Sequence, residues 1–326
     1  MHTIQDLRSE FEEYLGQNGF DLSPKELYEP LDYILALGGK RMRPILVMMA
    51  CNLFSEELKP SLAPAYGVEL FHNFSLMHDD IMDEAPLRRG KATVHTKYNT
   101  NTAILSGDVM LVYAYQYVAQ VASELLPIVI KVFNETAIGV CEGQQMDMNF
   151  ETSSTVSIPE YIRMIELKTS VLVHGGMKIG ALVGGATETQ ADLVAEFGRN
   201  MGIAFQLQDD LLDTFGESAK VGKRIGGDIL QNKKTYLVLK ALELVDATTR
   251  QELMTWMTTS TNSTKEEEKI EAVRAIFTAS GVVEAINKEI QNYENKALEY
   301  LAQVDLPAKQ KEPLKAFLSM IMQREH

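Results

Sequence analysis

Glu69-Leu70-Phe71-His72-Asn73-Phe74-Ser75-Leu76-Met77-His78-Asp79-Asp80-Ile81-Met82-Asp83 is an apolar, helix-patterned run that ends in a cluster of carboxylates. A helix starting near Pro64 and carrying Val68, Phe71 and Phe74 sets Asp79 and Asp83 on one face. Like charges four residues apart repel, so the pair costs stability unless something positive lies between them. The same DDxxD pattern returns 130 positions later as Asp209-Asp210-Leu211-Leu212-Asp213, inside the apolar run 204–215. There Asp209 and Asp213 share a face. Acidic faces of this kind suit hard divalent cations, and Mg2+ fits because it takes oxygen ligands and shares its shell with phosphates. A single copy could be a solvated acidic turn; the second copy argues against that.

Outward from these motifs, helical periodicity dominates. Ser23 reads as an N-cap with Pro24 opening a helix, Leu27, Leu31, Ile34 and Leu35 form its apolar stripe, and Gly38-Gly39 ends it. Pro44 opens the next apolar run. Ser106-Gly107-Asp108 begins a helical stretch through Tyr113 and Tyr117, and Ser157 with Glu160 caps another. Gly175, Gly176, Gly180 and Ala181 suggest close helix contacts, and residues 192–215 read as one long helix. Residues 84–94, 216–235 and 258–269 read as loops, the last polar and solvent-exposed. No alternating stretch specifies a sheet. With no linker or composition break, the expectation is a single all-α domain over residues 1–326.

The bulk numbers set limits on function. The 326 residues are 45% hydrophobic and 23% charged, as in a globular enzyme, and the net charge of −14 argues against a nucleic-acid partner. Cys51 and Cys141 lie far apart without metal-ligand spacing, which suits a reducing cytoplasm. The N-terminal residues are amphipathic and acidic, unlike a signal peptide, and no apolar run reaches the ~18 residues of a membrane span. The histidines lack the HExxH spacing of a zinc enzyme. A cytoplasmic enzyme is expected.

An acidic protein that binds an anion needs local cations, and these are clustered. Arg88 and Arg89 follow the first motif, and His72 precedes Asp79 by two helical turns. Carboxylates, metals and arginines together are the arrangement expected around a diphosphate. In Gly38-Gly39-Lys40-Arg41-Met42-Arg43, the cations either complement a helix C-terminus or bind an anion that the glycines let approach. Lys168-Thr169 interrupts an apolar stretch, where a lysine either snorkels outward or serves a site. Gln206, three residues before Asp209, faces the same side as the motif. The segment 216–235 is rich in glycine and lysine, including Lys223 and Lys233, without P-loop spacing; a mobile basic loop there could close over phosphates.

Together these residues resemble the trans-type polyprenyl (isoprenyl) diphosphate synthases. The resemblance spans roughly residues 36–240 and rests on GGKRMRP, ELFHNFSLMHDDIMD, LRRGKATVH, GQQMD at 143–147, KT at 168–169, FQLQDDLLD, GKRIGGD and NKKTY. It implies a helical bundle or barrel around a deep central cavity, usually homodimeric. It also implies that about three Mg2+ ions bind, two held by Asp79 and Asp83 and one by Asp209, with Asp80, Asp210 and Asp213 supporting. Arg88, Lys168, Lys223 and Lys233 would join the ions on the diphosphate of an allylic substrate, dimethylallyl, geranyl or farnesyl. Lys40, Arg43, His72 and Arg89 match positions that bind isopentenyl diphosphate, and Thr169 and Gln206 match groups lining the carbocation site.

Product length is legible in the same helix. Phe74 lies five residues before Asp79, about 7.5 Å along a helix, while the small Ser75 lies four before it. By the resemblance, a large residue followed by a small one implies a C15 to C20 product; with no insertion in the first motif, C20 is favoured. A terpene cyclase usually keeps only one DDxxD, and a non-catalytic regulatory subunit tends to lose both. The intact aspartates together with Lys40 and Arg43 favour the synthase.

Overall fold

Thr3, Asn99, Ser157 and Asp246 each accept a backbone N–H from the turn that follows, and a helix begins after each of them. The computed structural model describes residues 2–153, 155–216, 225–259 and 265–323. It is helical apart from a short hairpin, as expected of an all-α chain. The described residues group into two compact units. One comprises Met1–Thr136, Leu172–Ala195 and Val304–Pro313, and the other Ala137–Val171, Glu196–Gln303 and Leu314–His326.

The first unit contains α1 (Ile4–Gln17), α2 (Lys25–Ala36), α3 (Met42–Asn52) and α4 (Lys59–Met82). The hairpin strands β1 (Leu87–Arg88) and β2 (Lys91–Ala92) follow, then α5 (Val94–Lys97), α6 (Thr100–Val118) and the start of α7 (Leu126–Thr152). Helix α3 is buried from Pro44 to Asn52, which explains why its sequence shows no polar face. Its neighbour is the glycine-rich α9 (Val171–Val183), and here the contacts expected from small residues are present. A Cβ on Gly180 would collide with the Val47 carbonyl, and one on Gly184 would lie 2.6 Å from the Cys51 carbonyl oxygen. Helices α4 and α6 approach as closely, with Gly67 seated against Val118 and the Ala114 carbonyl.

Several boundaries differ from the sequence expectation, each for a local reason. Pro24 has an extended backbone and is itself the N-cap of α2, displacing Ser23 from that role. Helix α4 starts before Pro64, because Pro60 occupies the first turn, where a missing N–H costs nothing. Asn99 starts α6 ahead of Ser106. That serine is buried in the helix, where it donates to the Leu27 carbonyl at 2.9 Å, and Gly107 beside it accommodates the His78 ring. The expected loop 84–94 contains the hairpin, paired Leu87 with Ala92 and Arg88 with Lys91.

The second unit holds α8 (Ile158–Ile165), a π-helical turn at Glu166–Ser170, most of α10 (Glu188–Phe215) and the helices that follow. Leu207, Leu211, Leu237, Val273, Phe277 and Ile286 lie in its core. Within the expected loop 216–235, Gly227–Leu230 forms a short helix; residues 217–224 lie outside the described residues. The expected exposed connection 258–269 is corrected at its end. Residues 266–269 begin the helix Glu266–Ser280, and Lys269 is fully buried. Among the described residues, no helix is long and apolar enough to cross a membrane.

Gly180→Ala tests the α3–α9 contact. Placing a methyl group against a backbone carbonyl is expected to lower stability by about 1–3 kcal/mol, read by urea unfolding; an unchanged midpoint would contradict the close packing.

Candidate active site

Both acidic motifs fall in the last two turns of their helices, α4 and α10. A helix C-terminus carries partial negative charge, so carboxylates placed there need compensating cations. In each motif the second aspartate turns inward and is compensated by the protein itself. Asp80 is buried and accepts from Arg88 Nε at 2.8 Å and Nη2 at 2.7 Å, a bidentate fork. Burial opposes the Arg88 charge, but the Asp80 carboxylate and the nearby Asp79 and Asp83 hold its pKa above the usual value. Asp210 is likewise buried. It accepts from the Tyr161 hydroxyl and from Gln206 Nε2, the latter at 3.2 Å. Burial, then Asp228, pushes the Asp210 carboxyl well above the usual range.

The remaining aspartates are placed differently. Asp79 is half-buried, with Arg88 Nη2 at 3.9 Å, and Asp83 is exposed one turn on. Asp209 and Asp213 are half-buried, and Asp213 Oδ2 accepts the Asp228 N–H at 2.9 Å. The donors are hard carboxylate oxygens, which fit Mg2+. Among the described residues no three His, Cys, Asp or Glu side chains converge on one point, so an ion held here would share its shell with other oxygens.

A region of opposite sign lies in the first unit. Arg43 Nη1 donates to His72 Nε2 at 3.2 Å, so His72 accepts and is neutral. Burial, then Arg43, Arg89, Arg88 and Arg41, pushes the His72 pKa well below its usual value. Arg43 Nε is buried and makes no hydrogen bond among the described residues. Gly39, at φ 128°, lets the Arg89 guanidinium lie where a Cβ would stand 2.8 Å away. Arg41, left-handed at φ 49°, faces inward. It pairs with buried Glu69 at 2.5 Å and caps α2 by donating to the Leu35 carbonyl at 2.5 Å. Lys40 beside it is exposed.

Along α4, Phe74 stands in a series of ring contacts. Tyr115, Phe133, Phe71, Phe74 and His78 follow one another with centroids 4.8–5.5 Å apart, and Ser75 Oγ donates to the His72 carbonyl at 2.8 Å. A ring braced from behind resists displacement.

In the second unit the π-helical turn carries Lys168 and Thr169. A Cβ on Gly143 would collide with the Lys168 backbone, so α7 lies directly on this turn. Lys168 Nζ meets Asp147 Oδ2 at 2.6 Å, and Thr169 Oγ1 donates to Gln206 Oε1 at 3.3 Å. Lys233 is exposed, 3.7 Å from Asp228, while Lys234 donates to the Phe150 carbonyl near the end of α7 at 2.5 Å. Lys223 lies outside the described residues.

Sequence reasoning missed the supporting partners. Nothing in the local pattern around Tyr161 marks it as the donor to Asp210, and Asp147 stood out only within GQQMD. The Arg41–Glu69 pair spans 28 residues, beyond the reach of helical spacing.

Residues 24–277 match the polyprenyl synthetase family. The chain is 41% identical to a geranylgeranyl diphosphate synthase of Methanosarcina mazei, over 68% of each chain. It is 32% identical to a short chain isoprenyl diphosphate synthase of Methanothermobacter thermautotrophicus, over 97% of this chain and 95% of that one. A crystal structure of a geranylgeranyl pyrophosphate synthase superposes with a TM-score of 0.96, at 43% identity and with full coverage of both chains.

Asp80→Asn is expected to cost about 1.5–3 kcal/mol, because it breaks a charged, buried fork. Asp83→Asn at an exposed position should change stability by less than about 0.5 kcal/mol. Equal unfolding midpoints for the two variants would contradict the inward role of Asp80.

Proposed function

The chain belongs to the polyprenyl synthetase family of prenyltransferases, and we propose that it condenses isopentenyl diphosphate with an allylic diphosphate to give an all-trans C20 product. The observation that carries this reading is the pairing of two helix-terminal acidic motifs with a separate cluster of arginines around a neutral histidine. The former suit a metal-bound diphosphate, the latter a bare one.

Asp79, Asp83 and Asp209 hold the divalent ions, with Asp80, Asp210 and Asp213 as supports. Bound there, Mg2+ neutralises the allylic diphosphate as a leaving group. Arg88, Lys168 and Lys233 add fixed positive charge to the departing diphosphate, and Lys223 is assigned with them. Charge aimed at the leaving group acts where the transition state needs it, because the C–O bond breaks as negative charge collects on the diphosphate. Thr169 and Gln206 offer oxygen dipoles to the allylic cation, and their mutual hydrogen bond fixes those dipoles beforehand.

Arg43, Arg89, Lys40 and His72 bind the diphosphate of isopentenyl diphosphate and orient its double bond for attack on the cation. His72 serves as a neutral hydrogen-bonding group, since the arginines around it disfavour a second proton. A proton then leaves the new C–C adduct, and the released diphosphate is the base at hand. Phe74 ends the path of the growing tail; its contact with Phe71, itself backed by Phe133, supports that role.

A single catalytic domain, a homodimer and a cytoplasmic setting complete the reading. Ile104, Leu105 and Val112, exposed on α6, support a second copy as partner.

Incubation with isopentenyl diphosphate, Mg2+ and each allylic primer in turn, with products sized by mass spectrometry, tests the reading. A dominant C20 product is expected; no product from any primer would overturn it. Asp79→Ala and Asp209→Ala should each lower turnover by at least about a hundredfold without altering the far-UV circular dichroism. Phe74→Ala should lengthen the product and Ser75→Phe shorten it. Parental product lengths from both variants would exclude this face of α4 from the tail path.

A further inference from the structure

Lys269 departs from its sequence pattern. It sits in the acidic opening of the helix Glu266–Ser280, yet its side chain is fully buried. Its ammonium donates to Asn232 Oδ1 at 2.5 Å and to the Thr259 carbonyl at 3.2 Å. Both acceptors are neutral. Among the described residues this buried lysine has no carboxylate partner, which is costly, so the contact it makes is the place to look for its use.

That contact is Asn232, which immediately precedes Lys233. Asn232 has a left-handed backbone at φ 58°, a conformation that needs support in a residue with a Cβ. The next residue of the same helix makes a matching contact. The Ile270 side chain fills the space beside Gly226, where a Cβ would stand 2.8 Å from it. Lys269 and Ile270 thus hold the two ends of the segment 226–232. Between those ends the segment is tied to the second acidic motif, since Asp213 accepts the Gly226 N–H through its carbonyl at 2.7 Å and the Asp228 N–H through its carboxylate at 2.9 Å. Lys233 N–H donates to the Asp228 carbonyl at 2.9 Å. Lys234 is drawn inward to the end of α7, leaving Lys233 as the exposed member of the pair.

We propose that Lys269 is a positioning residue for allylic diphosphate binding: through its hydrogen bond to Asn232 it fixes the backbone turn from which Lys233 reaches the diphosphate. This rests on the assignment of Lys233 to that diphosphate. It gives a role to a segment with no functional motif of its own. The helix Glu266–Ser280 becomes the backing of a substrate-binding segment, and Lys269 never touches substrate.

The test is a set of variants, Lys269→Met, Asn232→Ala, Lys233→Ala and the double variant Lys269→Met/Lys233→Ala. For each, the KM for the allylic diphosphate and for isopentenyl diphosphate is measured at saturating Mg2+, and binding of inorganic pyrophosphate with Mg2+ is measured by calorimetry. Lys269→Met and Asn232→Ala should each raise the allylic KM and weaken pyrophosphate binding about tenfold, with the KM for isopentenyl diphosphate within about twofold of the parent. The double variant should be no worse than Lys233→Ala alone, because both act on one contact. If Lys233→Ala weakens the allylic side and Lys269→Met and Asn232→Ala do not, the positioning role is wrong. An equal rise in both KM values, or additive losses in the double variant, would mean that Lys269 only stabilises the fold. If Lys233→Ala itself leaves the allylic KM unchanged, the assignment of Lys233 fails instead. Asn232 is partly exposed, so Asn232→Ala decides the matter if Lys269→Met does not fold.

Discussion

Carboxylates crowded at the ends of apolar helices are the constraint on which the site depends. Each motif sets three aspartates where the helix dipole is already negative, so the charge must be compensated or the helix end destabilised. The protein compensates one aspartate of each motif with its own donors, a guanidinium fork on Asp80 and a phenol with an amide on Asp210. These anchors fix the rotation of the helix end. Under the proposed function the other aspartates would take divalent ions, which would tie metal binding to the same interaction that orders the motif.

The same division recurs wherever charged residues adjoin. Arg41 turns in to Glu69 and the end of α2, while Arg43 keeps a buried donor by His72. Lys234 caps α7 while Lys233 stays exposed. In each pair, one residue orders the backbone, and its neighbour is the one that the proposed function assigns to a ligand. Such ordering matters because a charge held in place beforehand needs no reorganisation as the leaving group departs.

Much of this was legible in the sequence, because it rests on local spacing. The helix ends at Gly38-Gly39, the Ser157 cap with Glu160, the close approach signalled by Gly180 and the shared face of Asp79 and Asp83 all depend on residues a few positions apart. The π-helical turn at Glu166–Ser170 was not legible, since its residues continue an ordinary helical pattern and the turn packs on Gly143, more than twenty residues away. The starts of α4 and α6 were misplaced because a proline or serine was read as a boundary, whereas Pro60 and Asn99 open those helices and Ser106 is absorbed by its bond to the Leu27 carbonyl. Lys269 escaped for a similar reason. A lysine after three glutamates reads as solvated, and only distant Asn232 reveals why it is buried. In the segment 216–235, glycine content suggested mobility, but residues 226–234 are braced by Asp213, Lys269 and α7.

The central claim is that the acidic motifs bind diphosphate only through divalent ions, whereas the arginine cluster binds it directly. Calorimetric titration of the parent protein with an allylic diphosphate and, separately, with isopentenyl diphosphate, each with Mg2+ and with a chelator, tests this most directly. The account predicts that allylic diphosphate binding is lost in the chelator while isopentenyl diphosphate binding persists. Equal binding of the allylic diphosphate with and without metal would contradict it.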